Sequence, residues 1–253
     1  MIGLLVMAYG GPNTLDEVEP YLMDVRGYRP TSPEIVHEVR ERYREIGGRS
    51  PILERTQSQA DALEVALNAE GKDFKAFVGM RHWHPFIKDT LAEMCNQGIE
   101  RAVGVVMAPH YSRMSIEAYF KKVEEANSGI QVARIDNWHL LPEYLNALAN
   151  RVRGALERFP ESQRADVPII FTAHSLPERI LEWGDPYPKQ LQETVEGVMK
   201  ILGMHQHTFA FQSAAISKDP WLGPDASERL LILIIQIDLW LWIIDDEEQL
   251  RSL

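Results

Sequence analysis

The sequence predicts an α/β fold in which mostly parallel sheets, flanked by helices, are divided between two lobes. Three observations carry this. Short apolar runs rich in Val, Ile and Phe recur along the chain, helix-like stretches lie between them, and 253 residues suffice for one large domain or two modest ones. Strands separated by helices require crossover connections, and crossovers build parallel sheets.

The strand candidates are residues 3–8, 74–79, 102–108, 130–135, 168–173 and 207–212, each bounded by Gly, Pro or polar clusters. The first clear helix signal is Ser32-Pro33-Glu34, an N-cap followed by proline at the first helical position and an acidic first turn, and Gly47-Gly48 stops that helix. Residues 56–69, 86–96, 115–126, 142–158 and 189–202 follow with apolar side chains at three- and four-residue spacing. A lobe boundary is expected at Asn127-Ser128-Gly129, giving lobes over 1–127 and 128–229 and an atypical apolar tail over 230–253. Residues 230–244 of that tail are nearly all aliphatic or Trp, broken by Gln236 and Asp238. The run is shorter than the ~20 residues of a membrane span and carries a charge, so a buried strand or helix is expected and a membrane span is not.

Composition excludes several functional classes. With 45% hydrophobic and 25% charged residues, 16 Gly and 15 Pro, the chain is neither collagen-like nor of low complexity. A net charge of -11 argues against a nucleic-acid face built on general basicity. One cysteine, Cys95, leaves no disulfide framework and no CxxC zinc or redox pair. The opening MIGLLVMAYG lacks the basic segment and cleavage site of a signal peptide, so a reducing, cytoplasmic setting is expected.

Polar residues gather just after the predicted strands, at the edge where open α/β sheets bind ligands. They are Tyr9-Gly10-Gly11-Pro12, Arg81-His82, Pro109-His110-Tyr111-Ser112 and His174-Ser175-Leu176-Pro177-Glu178. Gly10-Gly11-Pro12 lacks GxGxxG spacing and reads as a tight turn, and no Walker-type phosphate loop exists. His82 and His110 have a plain reading as hydrogen-bonded structural histidines, and His205 and His207, near a helix-to-strand turn, as solvated ones. His174 stands apart. The buried run Ile169-Ile170-Phe171-Thr172-Ala173 delivers it to the sheet edge, where a neutral imidazole can accept a proton or ligate a divalent metal. Ser175 beside it lacks the GxSxG elbow of a serine hydrolase.

Several ordered motifs resemble ferrochelatases. They are Met7-Ala8-Tyr9-Gly10-Gly11-Pro12, Arg42-Tyr43 with Gly47-Gly48-Arg49-Ser50-Pro51, and Ala108-Pro109-His110-Tyr111-Ser112. Further along come Thr172-Ala173-His174-Ser175-Leu176-Pro177-Glu178, Gly184-Asp185-Pro186-Tyr187-Pro188, and Gln212-Ser213 followed by Asp219-Pro220-Trp221-Leu222-Gly223-Pro224-Asp225. They cover residues 2 to about 229 and are most similar to Gram-positive-type coproporphyrin ferrochelatases.

The resemblance implies two Rossmann-like lobes and insertion of ferrous iron into a porphyrin, coproporphyrin III in particular, for haem biosynthesis. Porphyrin and Fe2+ are then substrates, and no further cofactor is implied. By motif, His174 is the histidine that binds iron or accepts a pyrrole proton, and Tyr9 lies over the macrocycle and can ligate iron from the opposite face. Arg26, Arg42, Tyr43, Ser50 and Tyr119 fall at positions that hold propionates or line the cleft, Arg26 within a stretch, Asp24-Val25-Arg26-Gly27-Tyr28, that is irregular against the family pattern. The residue types suit the chemistry. Two pyrrole protons must leave as Fe2+ enters, which calls for a base that is neutral near pH 7, and guanidinium groups grip carboxylates by charge-assisted, bidentate bonds.

Beyond Arg229 the family pattern continues through a strand and a segment pairing a His with a catalytic Glu, whereas here the apolar run begins and no family motif follows. A shifted reading frame or a truncated gene product is expected, with a lineage variant bearing a new tail as the alternative. The second lobe is then expected to be incomplete, with an unpaired strand edge, and iron insertion by this chain to be impaired. Glu247 and Glu248 are acidic, but nothing in the sequence sets either against His174. Two other readings stand beside the enzyme: a non-catalytic porphyrin- or haem-binding protein, favoured by the tail, and a related cobalt or nickel chelatase, disfavoured by Arg42-Tyr43 and the PWLGPD motif.

Overall fold

A computed structural model of the chain describes residues 1–203, 206–214 and 219–226, and the backbone of 236–238. It divides into two compact units, the first comprising Met1–Met107 and Glu117–Asp136, the second Ala108–Ile116 and the described residues from Asn137 onward.

In the first unit, strands β1 (Ile2–Ala8), β2 (Phe74–Met80), β3 (Arg101–Val106) and β4 (Gln131–Ile135) form a parallel sheet in the order β2-β1-β3-β4. β1 is central, and Leu4 through Ala8 are all buried, as expected of a strand covered on both faces. Helices α1 (Val18–Val25), α2 (Pro33–Glu45), α3 (Ile52–Ala69), α4 (Ile87–Asn96) and α5 (Ile116–Ala126) accompany it. α3 packs on β2 and β1, and α4 packs on β2. α2 starts as its sequence predicts: Ser32 Oγ accepts from the Ile35 N–H, and Pro33 opens the helix. α1 has no counterpart in the sequence reading. It is eight residues long with Pro20 in its first turn, where the missing N–H has no intrahelical role.

The boundary expected at Asn127-Ser128-Gly129 is displaced. β4 pairs in parallel with β3 from Arg101↔Gln131 to Val105↔Ile135, so the first unit runs on to Asp136. Asn127 and Gly129 hold positive φ angles of 46° and 80° because they form the turn between α5 and β4, and a turn signal alone does not mark a lobe boundary.

The second unit contains β5 (Ile169–His174), β6 (His207–Gln212) and β7 (Gln236–Asp238), parallel in the order β6-β5-β7. Helices α6 (Pro142–Leu156) and α7 (Tyr187–Leu202) pack on each other, and their apolar stripes join Ile169, Phe171 and Phe211 in one core with Leu148, Val152, Leu191, Val195 and Val198. The edge of β5 that the sequence reading left unpaired carries β7, which pairs Ile170↔Gln236 through Thr172↔Asp238. These three residues come from the apolar run of 230–244 and bear out its strand reading, while its remaining residues lie outside the described part. Among the described residues no helix is long and apolar enough to cross a membrane.

Asp185 ties the 108–116 segment to the start of α7. Its buried carboxylate accepts from Ser112 Oγ (2.9 Å), the Arg113 N–H (2.8 Å) and the Tyr187 N–H (3.0 Å). Removing it orphans three donors in a desolvated place. We expect Asp185→Ala to lower stability by about 3 kcal/mol and Asp185→Asn by less, since its carbonyl still accepts. Urea unfolding measures both, and an unchanged Asp185→Ala midpoint contradicts the role.

Candidate functional site

The site residues of the first unit are assembled by the loops leaving β1 and β2. Strand pairing runs beyond the strands themselves: the Arg81 N–H donates to the Ala8 carbonyl and the His82 N–H to the Tyr9 carbonyl, both at 2.9 Å. Two glycines allow this crowding. Gly10 sits at φ +90°, where a Cβ would lie 2.9 Å from the Trp83 nitrogen, and a Cβ on Gly11 would lie 2.6 Å from Ser50 Cβ and Oγ. Glu17 braces both loops, accepting at one oxygen from the Asn13 N–H (2.7 Å) and Trp83 Nε1–H (2.8 Å). Burial pushes its carboxyl pKa up, but these bonds outweigh burial and hold it below the usual range.

Tyr9 is half-buried, its ring 4.6 Å from that of His82 at a tilt of 51°. His82 is anchored in turn by Asp24 from the last turn of α1, with Nδ1 and Oδ1 2.8 Å apart. Burial pushes the His82 pKa down; Asp24 opposes that shift, and Arg81 adds to it. Tyr9 is pushed up by burial and by Asp24, against the pull of Arg81.

Three further phenols gather near Tyr9. Buried Tyr21 is hydrogen-bonded to Tyr43, and Tyr119 lies beneath the Arg81 guanidinium, whose carbon is 5.4 Å from its ring centroid. Burial raises the pKa of all three, and each feels the charge of Tyr9, so all stay protonated at neutral pH. Ser50 is buried beside Gly11, and the Tyr43 hydroxyl approaches the same glycine. Tyr9, Tyr43, Ser50 and Tyr119, named separately from the sequence, thus form one polar, aromatic cluster with Tyr21, His82, Asp24 and Arg81.

Arg26 and Arg42 are both exposed. Arg42 lies on α2 and is ion-paired with Glu38 one turn earlier. Arg26 caps α1 and, with Val25, Gly27 and Arg29, lines an open depression of about 370 Å³.

In the second unit His174 ends β5, half-buried, its carbonyl accepting from the Tyr187 hydroxyl at 2.9 Å. Burial alone holds its imidazole pKa below the ordinary value, so it is neutral at pH 7 and able to take a proton. Ser175 is structural, its hydroxyl donating to the Leu222 carbonyl at 2.8 Å. His110 follows its plain reading: it is buried, with Nε2 2.9 Å from Thr194 Oγ1, and the neighbouring His139 pairs with Glu193 at 2.9 Å. His207 is exposed, and His205 lies outside the described residues. Among the described residues no three His, Cys, Asp or Glu side chains gather as a metal-holding group.

Sequence reasoning flagged Arg81-His82 as a strand-end pair but missed Asp24 and Tyr21, which sit on the unrecognised α1. The apolar spacing Val18, Tyr21, Leu22, Val25 was the available signal.

Comparison with known proteins agrees with the motifs. The family profile for Ferrochelatase matches residues 1–234. A ferrochelatase of Deinococcus radiodurans is 47% identical over 235 residues, covering 90% of this chain and 74% of the relative. A ferrochelatase of Herpetosiphon aurantiacus is 42% identical, covering 90% and 76%. A coproporphyrin III ferrochelatase of Oceanobacillus iheyensis is 40% identical, covering 90% and 74%.

His110 generates a pH prediction. Burial, with His139 adding to it, lowers its pKa from 6.5 to about 3. The unfolded chain binds a proton that folded His110 refuses, so stability falls as pH drops through 6.5 toward 3, by up to about 1.4 kcal/mol per unit. His110→Asn removes this contribution, and its stability gap from the parent should narrow between pH 7.5 and pH ~5 in urea unfolding. Parallel curves across that window contradict the assignment.

Proposed function

The chain belongs to the ferrochelatase family, and on that premise we propose that it binds coproporphyrin III in the cytoplasm and inserts ferrous iron into it, releasing two pyrrole protons. The observation that carries the reading is His174, which burial keeps unprotonated at the carboxyl end of β5. It is the base that takes a pyrrole proton and the nitrogen donor that receives iron. Tyr9 supplies a wall for the macrocycle and an axial oxygen. Tyr43, Ser50 and Tyr119 line that wall, and Arg26 and Arg42 hold propionates at its exposed rim. The choice of coproporphyrin is supported by the named activity of the Oceanobacillus iheyensis relative. The cytoplasmic setting is supported by the lone, unbridged Cys95.

A second reading, porphyrin binding without insertion, is favoured by one observation: residues 235–253 lie outside the family match and hold no histidine beside Glu247 and Glu248. Anaerobic Fe2+ insertion separates the two. The parent chain is expected to insert iron at an impaired rate, and His174→Ala to bind porphyrin while inserting less than the parent. A parent that binds coproporphyrin tightly but inserts no iron establishes the second reading instead.

Arg42→Ala tests the rim. Loss of a partly solvated charge-assisted contact should weaken coproporphyrin binding about tenfold in a fluorescence titration. Unchanged affinity removes Arg42 from the propionate site.

A further inference from the structure

We infer that Asp24 is a positioning residue for the Tyr9 wall: its carboxylate holds the His82 ring, and through that ring it fixes the orientation of Tyr9. The inference rests on the reading that Tyr9 faces the bound porphyrin.

The geometry is a chain of three side chains from three elements. Backbone pairing sets the starting point, since His82 and Tyr9 are joined by the 2.9 Å bond from the His82 N–H to the Tyr9 carbonyl. That bond fixes the two Cα atoms but leaves each ring free to turn about its own χ angles. The ring contact at 4.6 Å couples the two, so whatever holds one ring restrains the other. Asp24 supplies the hold. Its Oδ1 lies 2.8 Å from His82 Nδ1, and the two side chains are only 19% and 11% exposed. A carboxylate only accepts, so the ring must carry its proton on Nδ1, leaving Nε2 unprotonated in the neutral form. The second Asp24 oxygen accepts from the Tyr28 hydroxyl at 3.3 Å, which keeps the carboxylate facing the ring.

This is the logic by which outer carboxylates orient the imidazoles and ligands in front of them, and their loss there costs ~10–100-fold in affinity or activity. A misplacement of ~1 Å is enough for an effect of that size. The sequence distance between Asp24 and His82, 58 positions, hides the pairing from any local motif.

The test compares the parent with Asp24→Ala, Asp24→Asn and Tyr9→Phe. Nitrogen-15 histidine spectra at pH 8, without porphyrin, should show His82 with Nδ1 protonated and nuclear Overhauser contacts between the Tyr9 and His82 rings. Asp24→Ala should lose those contacts, and Asp24→Asn should retain them, because the amide oxygen accepts the same proton. If Asp24→Ala does not fold, Asp24→Ser, which is too short to reach the ring, takes its place. With ferric coproporphyrin as probe, Asp24→Ala should shift the absorption spectrum toward that of Tyr9→Phe and weaken binding about tenfold, with rescue by Asp24→Asn. The proposal is overturned by a parent His82 protonated on Nε2 alone. It is equally overturned if Asp24→Ala keeps the ring contacts, or keeps the parent spectrum where Tyr9→Phe changes it. Should Tyr9→Phe itself leave the spectrum unchanged, Tyr9 as an iron ligand fails, while the ring-contact measurement still decides the role of Asp24.

Discussion

Parallel pairing of β1 with β2 does not stop where the strands end, and the first unit's site depends on that continuation. The register that matches Ala8 with Met80 carries on through the Arg81 and His82 amides, so the loops leaving both strands are zipped together for two more residues. Everything polar in the site is then placed by short reach from this seam. Gly10 and Gly11 permit the approach, Glu17 pins the loops from outside, and Ser50 closes against Gly11. The strand order β2-β1-β3-β4 reverses direction beside β1, the kind of point at which open α/β sheets form ligand crevices.

The two units solve the burial of polar groups differently. In the first, phenols and an imidazole–carboxylate pair share a partly open cluster, and burial keeps the tyrosines protonated. In the second, a buried carboxylate with three donors and a neutral, hydrogen-bonded His110 lie in the interior. The chain is acidic overall, at -11, yet the first unit carries guanidinium groups at Arg26, Arg29, Arg42 and Arg81, the kind of local positive charge an anionic ligand would need.

Much of this was legible in the sequence because it is local. Strand β6 occupies the predicted span, the other five strands lie within two residues of theirs, and His174 emerges from β5 as its apolar run implies. Helix α1 was harder to read: its apolar spacing, Val18, Tyr21, Leu22 and Val25, lasts only eight residues and is interrupted by Pro20. Asp24 and Asp185 were illegible for another reason. Each is one of 37 acidic residues, and the pairings that matter, of Asp24 with His82 and of Asp185 with Ser112 and Arg113, span 58 to 73 positions, so only the folded chain shows them. The boundary after Asp136 was missed because a turn and a domain break share the same Asn-Ser-Gly chemistry, and only the pairing of β4 with β3 separates them. β7 shows the reverse case, an apolar run without a family motif that nevertheless completes a strand ladder.

On the proposed function, the phenol cluster around Tyr9 is the surface on which a porphyrin lies. A porphyrin ring current acts over only a few ångströms, so it reports contact directly. The decisive measurement is a spectrum of the chain with isotope-labelled tyrosine rings, recorded with and without metal-free coproporphyrin III. Large ring-current shifts are expected for Tyr9, Tyr43 and Tyr119, with Tyr144, buried in the second unit's core, unmoved. Saturating porphyrin that leaves Tyr9 unshifted would contradict that reading.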